Sequence, residues 1–334
     1  VRAAVYRRYG PPEVVAIEEV PTPEPKRGEV LVRIHATTVG AGDWRARTLS
    51  MPRGFGPVAR LVFGVSRPRQ PILGAELAGE IAAVGTGVTK FKAGDPVFAY
   101  PGLGMGCHAE YRTMPEDGKI AMKPANLTFA QAAALSSGGA TALYYLRDAA
   151  RIRRDESVLV IGASGAVGSA AIQIAKSFGA RVAGVSSAAN LALVTSIGAD
   201  RVIDYAKEDF TRSGDRYDII CDTVGTTSFA ACKNVLKPGG RLLLIAGDLP
   251  QVVSAAWRWR SDHKKVIAGP ASDTPEHVFT LQALAESGRF IPVIDSEFTL
   301  EQIVDAHARV ETGRKRGSVV VTITDAGRSR APMS

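Results

Sequence analysis

Cysteine is scarce: three residues among 334, Cys107, Cys221 and Cys232, with no Cys-x-x-Cys pair. An odd count without paired spacing argues against a disulfide framework and against a cysteine-rich zinc site, and it fits thiols in a reducing, cytoplasmic compartment. Long apolar runs are missing too, so no membrane-spanning helix is expected. The first residues lack the basic-then-apolar pattern of a signal segment. No solenoid-like repeat recurs along the chain. Acidic residues are outnumbered, 33 against 41 basic, for a formal charge of +8. Those charges are scattered, Arg314-Lys315-Arg316 being the one tight cluster, and no nucleic-acid motif accompanies them. A solvated basic surface suited to a phosphate-bearing ligand is expected, rather than a nucleic-acid partner. A hydrophobic content of 46% and mean hydropathy of +0.04 describe a water-borne globular protein long enough for two domains.

What is present is a nucleotide-binding signature. Val158 to Ile161 read as a buried parallel strand, and Gly162, Gly165 and Gly168 follow at three-residue spacing. Ser169–Phe178 continues as a helix, and the next strand follows from Gly179. Strand, glycine turn and helix N-terminus make a pyrophosphate site: the glycines allow close backbone approach and the unpaired helix N–H groups face the anion. Gly162, Ala163, Ser164, Gly165, Ala166, Val167 and Gly168 are therefore the expected phosphate-binding turn.

Around this motif the chain changes character. Residues 1–124 show short strands with frequent Gly and Pro turns, which predicts a partly closed β-barrel. Val30, Val32, Ile34 and Ala36 alternate with Leu31, Arg33, His35 and Thr37. Asp43 is expected to cap a short helix beginning at Trp44, and 50–70 to form a loop. From Asn126, helices are predicted at 128–134 and 139–150. Strands then follow at 158–161, 181–186, 201–203, 218–222 and 241–246, with helices at 169–178, 190–197 and 226–236 between them. That alternation predicts an α/β fold, a doubly wound parallel sheet over 125–271. Residues 251–271 read as irregular. Helices at 275–287 and 300–312 bracket a short strand at 292–294. The last strand, Gly317–Thr324, has no helix after it, so 272–334 are expected to return to the first domain, ending in a frayed tail at 325–334.

In this order and spacing the chain resembles the medium-chain dehydrogenase/reductase superfamily, in its zinc-free quinone oxidoreductase-like branch. The landmarks are Tyr9-Gly-Pro-Pro-Glu13, Gly74-Ala-Glu-Leu-Ala-Gly79, Phe91-Lys-Ala-Gly-Asp-Pro-Val97, Ala140-Thr-Ala-Leu143, Gly162 to Gly168, Ile197-Gly-Ala-Asp200 running on to Tyr205, Lys237-Pro-Gly-Gly240 and Gly317-Ser-Val-Val320. The resemblance implies a GroES-like catalytic domain split around a Rossmann domain, an active site in the cleft between them, and a homodimer. Zinc-using members hold the metal with Cys, His and Cys. The corresponding positions here are Gly40, Ala75 and Ser137, and the four-cysteine structural loop is absent, so no metal is expected. The adjacent Cys107-His108 sits on a predicted strand, where neighbours face opposite ways.

Without a metal, oxyanion stabilisation falls to backbone N–H groups, side-chain donors and the cofactor ribose, which favours conjugated acceptors that spread charge. Four residues are candidates for the cleft. Asp43 is either a helix cap or a proton handler. Trp44 either walls the substrate or fills the interface. The resemblance places the Thr141 hydroxyl at the nicotinamide ribose; its alternative is a bond to its own helix. Tyr100 either donates a proton or packs at the rim. The family's Val-Asn-Pro-x-Asp reads Val39-Gly-Ala-Gly-Asp43 here, which removes an asparagine that often orients substrate or nicotinamide. Trp257-Arg-Trp-Arg260 is a candidate flap, dimer contact or aromatic packing element.

The second Rossmann strand ends Val185-Ser186-Ser187-Ala-Ala-Asn190 with no acid to bind a ribose 2′-hydroxyl, which predicts NADPH. Ser186, Ser187, Asn190 and Tyr205 are the expected residues there. Asn190 stands where NADP-using relatives often carry lysine. Lys207, Arg212 and the 314–316 cluster are either compensating cations or surface charges. Val224, Ala246 and Gly247, after the fourth and fifth strands, complete the expected cofactor set. The reading is a zinc-independent NADPH reductase of quinones or α,β-unsaturated carbonyls. A metal-free carbonyl or alcohol oxidoreductase and a non-catalytic NADPH-binding protein are the alternatives.

Overall fold

The computed structural model describes residues 1–258 and 264–323. Trp259, Arg260 and the expected tail at 325–334 lie outside the described residues.

The first half is built on β1 (Arg2–Tyr6), β2 (Val15–Glu19), β3 (Glu29–Val39), β4 (Leu77–Val84), β5 (Pro96–Ala99), β6 (Tyr111–Pro115) and β7 (Ile120–Met122). A Rossmann sheet follows from β8 (Ser157–Ile161), β9 (Arg181–Ser186), β10 (Arg201–Asp204), β11 (Tyr217–Asp222), β12 (Leu236–Leu244) and β13 (Lys265–Ala268). These six are parallel in the order β10-β9-β8-β11-β12-β13. That order reverses direction at β8, which puts a crevice for a ligand at its carboxyl end. Their apolar runs fit burial on both faces: Val158, Leu159 and Val160 are fully buried. The last strands, β14 (Ile294–Thr299) and β15 (Ser318–Thr322), join the first half: β15 pairs antiparallel with β3 and parallel with β14. The seven-stranded sheet so formed runs β14-β15-β3-β4-β5-β7, with β6 on β3.

Ten helices among the described residues complete the fold: α1 (Ala41–Thr48), α2 (Gly56–Phe63), α3 (Phe129–Ala133), α4 (Ser136–Leu143), α5 (Ala166–Ser177), α6 (Leu191–Ser196), α7 (Phe229–Cys232), α8 (Leu249–Arg258), α9 (Pro275–Glu286) and α10 (Ile303–Glu311). Helix α4 runs straight into a π-helical turn at Tyr144–Ala149. Gly138 lets α4 cross the start of α5, because a Cβ there would lie 2.6 Å from the Ala166 carbonyl oxygen.

Several local expectations are corrected. The stretch 50–70 is not all loop, for α2 occupies its middle. Pro57 sits in the first turn, where its missing N–H costs nothing, and no breaker follows until Gly64. Residues 251–271 contain α8 and β13, and β13 gains its order from pairing with β12. The helix expected over 226–236 shrinks to α7, since the chain already enters β12 at Leu236. A register shift opposite Tyr217 and Ile219 accommodates Pro238-Gly239-Gly240 inside that strand. The strand expected at 292–294 begins only at Ile294. Cys107 and His108 precede β6 rather than lying on it, and both are fully buried.

Candidate active site

The glycine turn has the form its residues require. Gly162 adopts φ +79°, open to glycine but strained for other residues, and a Cβ there would strike Val224 at 2.3 Å. A Cβ on Gly168 would come within 2.1 Å of the Gly162 carbonyl oxygen, so the first turn of α5 presses against the loop it leaves. Gly165 is the N-cap of α5 and supplies no side-chain cap, which leaves the first-turn N–H groups facing outward. Beside the turn, Asp222 is fully buried and accepts from the N–H groups of Val224, Gly225 and Thr227 at 2.9–3.0 Å. That carboxylate folds the β11 loop so that Gly225 lies against Ala246, ahead of Gly247. Val224 is thereby brought against the turn and Ala246 against the loop beside it, while Gly247 lies against Leu244 and Gln251.

At the end of β9 three polar side chains converge. The Ser186 hydroxyl donates to Ser164 Oγ at 3.0 Å, and Asn190 Nδ2 donates to the same oxygen at 3.0 Å. Asn190 Oδ1 is buried with no partner among the described residues, an orphaned polar atom that a cofactor ribose hydroxyl would satisfy. The Tyr205 N–H donates to the Ser186 carbonyl and its ring is exposed beside it. Ser187 follows as the N-cap of a short 3₁₀ turn. Lys207 and Arg212 are exposed, and Arg212 lies 3.6 Å from Asp209. These residues fit a dinucleotide: Gly162–Gly168 would hold the pyrophosphate, and Ser164, Ser186, Asn190 and Tyr205 the adenosine ribose and its substituent.

The two sheets meet through the loop before β15. The Gly317 N–H donates to the Ser164 carbonyl at 2.8 Å, tying that loop to the phosphate turn. Arg314 and Arg316 are exposed on it, while Lys315 is partly buried and donates to the Gly317 carbonyl at 2.6 Å. Burial pulls the Lys315 ammonium down to about 8, against the opposing pull of Asp295 and Glu76.

Opposite this loop, Glu76 is buried just before β4. It accepts from the Thr38 hydroxyl and, at 2.5 Å, from the Ser137 N–H at the start of α4. Burial pushes its carboxyl up to about 7, Asp43 adds to the rise, and Thr38, Ser137 and Lys315 oppose it. Tyr100 follows β5; burial raises its phenol, as do Asp273, Glu76 and Asp43, and the Ser137 side chain opposes the rise. Lys119 Nζ lies 4.8 Å from the centre of its ring. Thr141 is half-buried one turn beyond Ser137, and Trp44 is half-buried with its Nε1 lacking a partner among the described residues.

Asp43 caps the start of the helix from its third position rather than as the expected N-cap. Gly40 is the N-cap and Asp43 is the third residue of α1. Its Oδ2 accepts from the Gly40 N–H at 2.7 Å and its Oδ1 from the Gly74 N–H at 2.8 Å. Both oxygens thus pin α1 to the turn before β4. Asp43→Ala is predicted to lower stability by about 2 kcal/mol or more, because two charge-assisted bonds vanish and one partner is buried. Urea unfolding checks this; a loss of kcat without a shift of the midpoint would instead make Asp43 a proton handler.

Glu76 and Thr38 were outside the residues singled out as functional, Ser137 was singled out only as a lost zinc-ligand position, and Lys315 only within the 314–316 cluster as a phosphate-facing or surface cation. Glu76 stands in the Gly74-Ala75-Glu76 landmark, and a carboxylate beside a position that lost its metal ligand was the available signal. The positions corresponding to zinc ligands converge on this junction as Gly40, Ala75 and Ser137. Among the described residues no group of three or more His, Cys, Asp or Glu side chains could hold a metal. Cys107 is pushed up to about 12 by burial, and His108 Nε2 meets the Thr38 carbonyl at 2.9 Å, so the pair serves the interior.

Comparison with known proteins fits this architecture. Residues 26–125 match the alcohol dehydrogenase GroES-like domain, and residues 197–321 the family named zinc-binding dehydrogenase. A 2-methylene-furan-3-one reductase of Solanum lycopersicum is 34% identical across 96% of this chain and 79% of that protein. The chain belongs to the medium-chain dehydrogenase/reductase superfamily. Within the superfamily it falls in the quinone oxidoreductase-like branch. An NADPH-dependent alkenal/one oxidoreductase of Arabidopsis thaliana is 32% identical over 96% of the chain and 79% of its own length. The solved quinone oxidoreductase of Coxiella burnetii superimposes with a TM-score of 0.83 at 28% identity, covering 97% of this chain and 99% of its own.

Proposed function

We propose that this protein is a metal-independent, NADPH-dependent reductase of quinones or α,β-unsaturated carbonyl compounds. The observation that carries the reading is the junction itself: a dinucleotide turn bonded to a polar cleft whose three metal-ligand positions hold Gly40, Ala75 and Ser137. Although residues 197–321 match a family described as zinc-binding dehydrogenase, the donor set here does not suit zinc. NADPH, when bound, supplies the hydride. A conjugated acceptor suits a cleft without a Lewis acid, because delocalisation carries the developing charge. The relatives that reduce alkenals, enones and quinones support the same substrate class. NADPH is favoured over NADH because Ser186 stands where a ribose-binding acid would repel the 2′-phosphate. Among the described residues no helix is long and apolar enough to cross a membrane. A cytosolic homodimer completes the proposal, and sedimentation velocity tests the dimer.

The test is NADPH oxidation with a panel of quinones and enones in the presence of a chelator. Turnover of at least one conjugated acceptor is expected. No oxidation by any acceptor, or activity only on added zinc, would overturn the reading.

A further inference from the structure

Enone reduction takes up a proton as well as a hydride, and the candidate donors at the junction are unequal. We propose that Glu76 is the acid that supplies this proton; the assignment rests on the reductase reading above.

Three features single it out. First, its two oxygens have different partners. Ser137 offers a backbone N–H, which only donates, whereas Thr38 offers a hydroxyl, which donates to a carboxylate and accepts from a carboxylic acid. Both protonation states of Glu76 are therefore satisfied without rearranging the backbone. Asp43, by contrast, has both oxygens held by backbone N–H donors, with no hydroxyl partner of the kind Thr38 offers Glu76. Second, Tyr100 is ill-suited to donate. Its phenolate would stand among Asp273, Glu76 and Asp43 in a buried setting, all of which oppose that charge. Third, Glu76 links three segments at the junction: β3 through Thr38, α4 through Ser137, and the loop on the phosphate turn through its electrostatic coupling to Lys315. The groups facing it are Asp43 from α1, Tyr100 after β5, Cys107 before β6 and Lys315 before β15. Burial brings its carboxyl to about 7, so a protonated population exists at neutral pH and its conjugate base is readily reprotonated.

The step balances simply. After hydride has reached the β-carbon, the substrate is an enolate carrying one extra electron pair. That pair forms the new bond to the Glu76 proton, giving the saturated carbonyl and leaving Glu76 as a carboxylate. Water restores the proton, and net uptake is one hydride and one proton. A hydroquinone anion is a far weaker base and picks up its proton from water after release.

Glu76→Gln, nearly isosteric, tests this on the full-length protein with an enone and a quinone in parallel. The enone-to-quinone ratio of kcat is expected to fall by about 100-fold or more, the usual worth of a positioned acid. In the native protein, enone kcat should decline as pH rises through about 7, since the acid form is the active one. Glu76→Gln should remove that inflection, and Glu76→Asp should restore it in part. Cofactor-free protein gives a second readout. A folded carboxyl raised from 4.5 to about 7 contributes stability that is full below 4.5 and lost as pH rises through 7. The urea midpoint should show that decline in the native protein and not in Glu76→Gln. An unchanged ratio and pH profile, or equal loss of enone and quinone turnover, would overturn the proposal. Native protein that reduces quinones but no enone also overturns it while sparing the reductase reading. Native protein that oxidises NADPH with neither substrate overturns both.

Discussion

Ser186→Asp turns the cofactor preference over: KM for NADPH rises by about 100-fold or more, and NADH becomes the better substrate. Ser186 ends β9, and its hydroxyl meets Ser164 Oγ, which Asn190 also contacts. A carboxylate there would accept from the ribose 2′-hydroxyl of NADH. Against the 2′-phosphate of NADPH it would set like charges together at a buried position, where a penalty of about 3 kcal/mol or more is ordinary. That penalty corresponds to about two decades in affinity. Fluorescence titration of both cofactors measures it directly. An NADPH-to-NADH ratio that stays put would show that the adenosine end lies elsewhere. The Asn190 neighbourhood would then be structural.

Arg241→Met should destabilise the Rossmann sheet by about 3 kcal/mol or more. Arg241 lies on β12 and reaches past β11 to Glu156, just before β8, with Nη2 at 2.5 Å and Nη1 at 3.1 Å from its oxygens. Both residues are buried, so removing the guanidinium strands a carboxylate whose other partner, Arg153, is largely exposed. The Arg241 guanidinium heads the forces that hold the Glu156 carboxyl below its ordinary value, against the cost of burial. Glu156→Leu combined with Arg241→Met should recover most of the loss, since a matched apolar pair escapes the desolvation cost. Urea unfolding of the single and double variants separates these outcomes. A single variant within about 0.5 kcal/mol of the native protein would mean that Arg153 alone compensates.

The contrast between those two sites explains what was readable beforehand. Strand β9 was located to the residue, and β8 and β11 to within one at the start, because a buried parallel strand writes itself as a continuous β-branched run. The glycine turn was equally visible, since its spacing is a backbone requirement. The return of β15 to β3 was inferable from a strand with no helix to follow. Helix α2 was hidden by the Pro and Gly residues before Pro57, and β13 by a segment whose order comes from its neighbour rather than its own pattern. Asp43 was read as the N-cap and completes the cap from the third position instead; only the fold shows that its second oxygen reaches Gly74, 31 positions on. Glu76 was hidden for a different reason. Its importance comes from burial between Thr38, Ser137 and Lys315, which are brought together by three separate segments and leave no local spacing to read.

Hydride is expected to move from NADPH to the conjugated carbon of an enone without a metal. The direct measurement uses NADPH carrying deuterium at the transferring C4 position, with chelator present, and mass and NMR analysis of the product. One deuterium is expected at the β-carbon and a solvent-derived hydrogen at the α-carbon. Deuterium on the carbonyl carbon, no deuterium in the product, or transfer only when zinc is restored would contradict it.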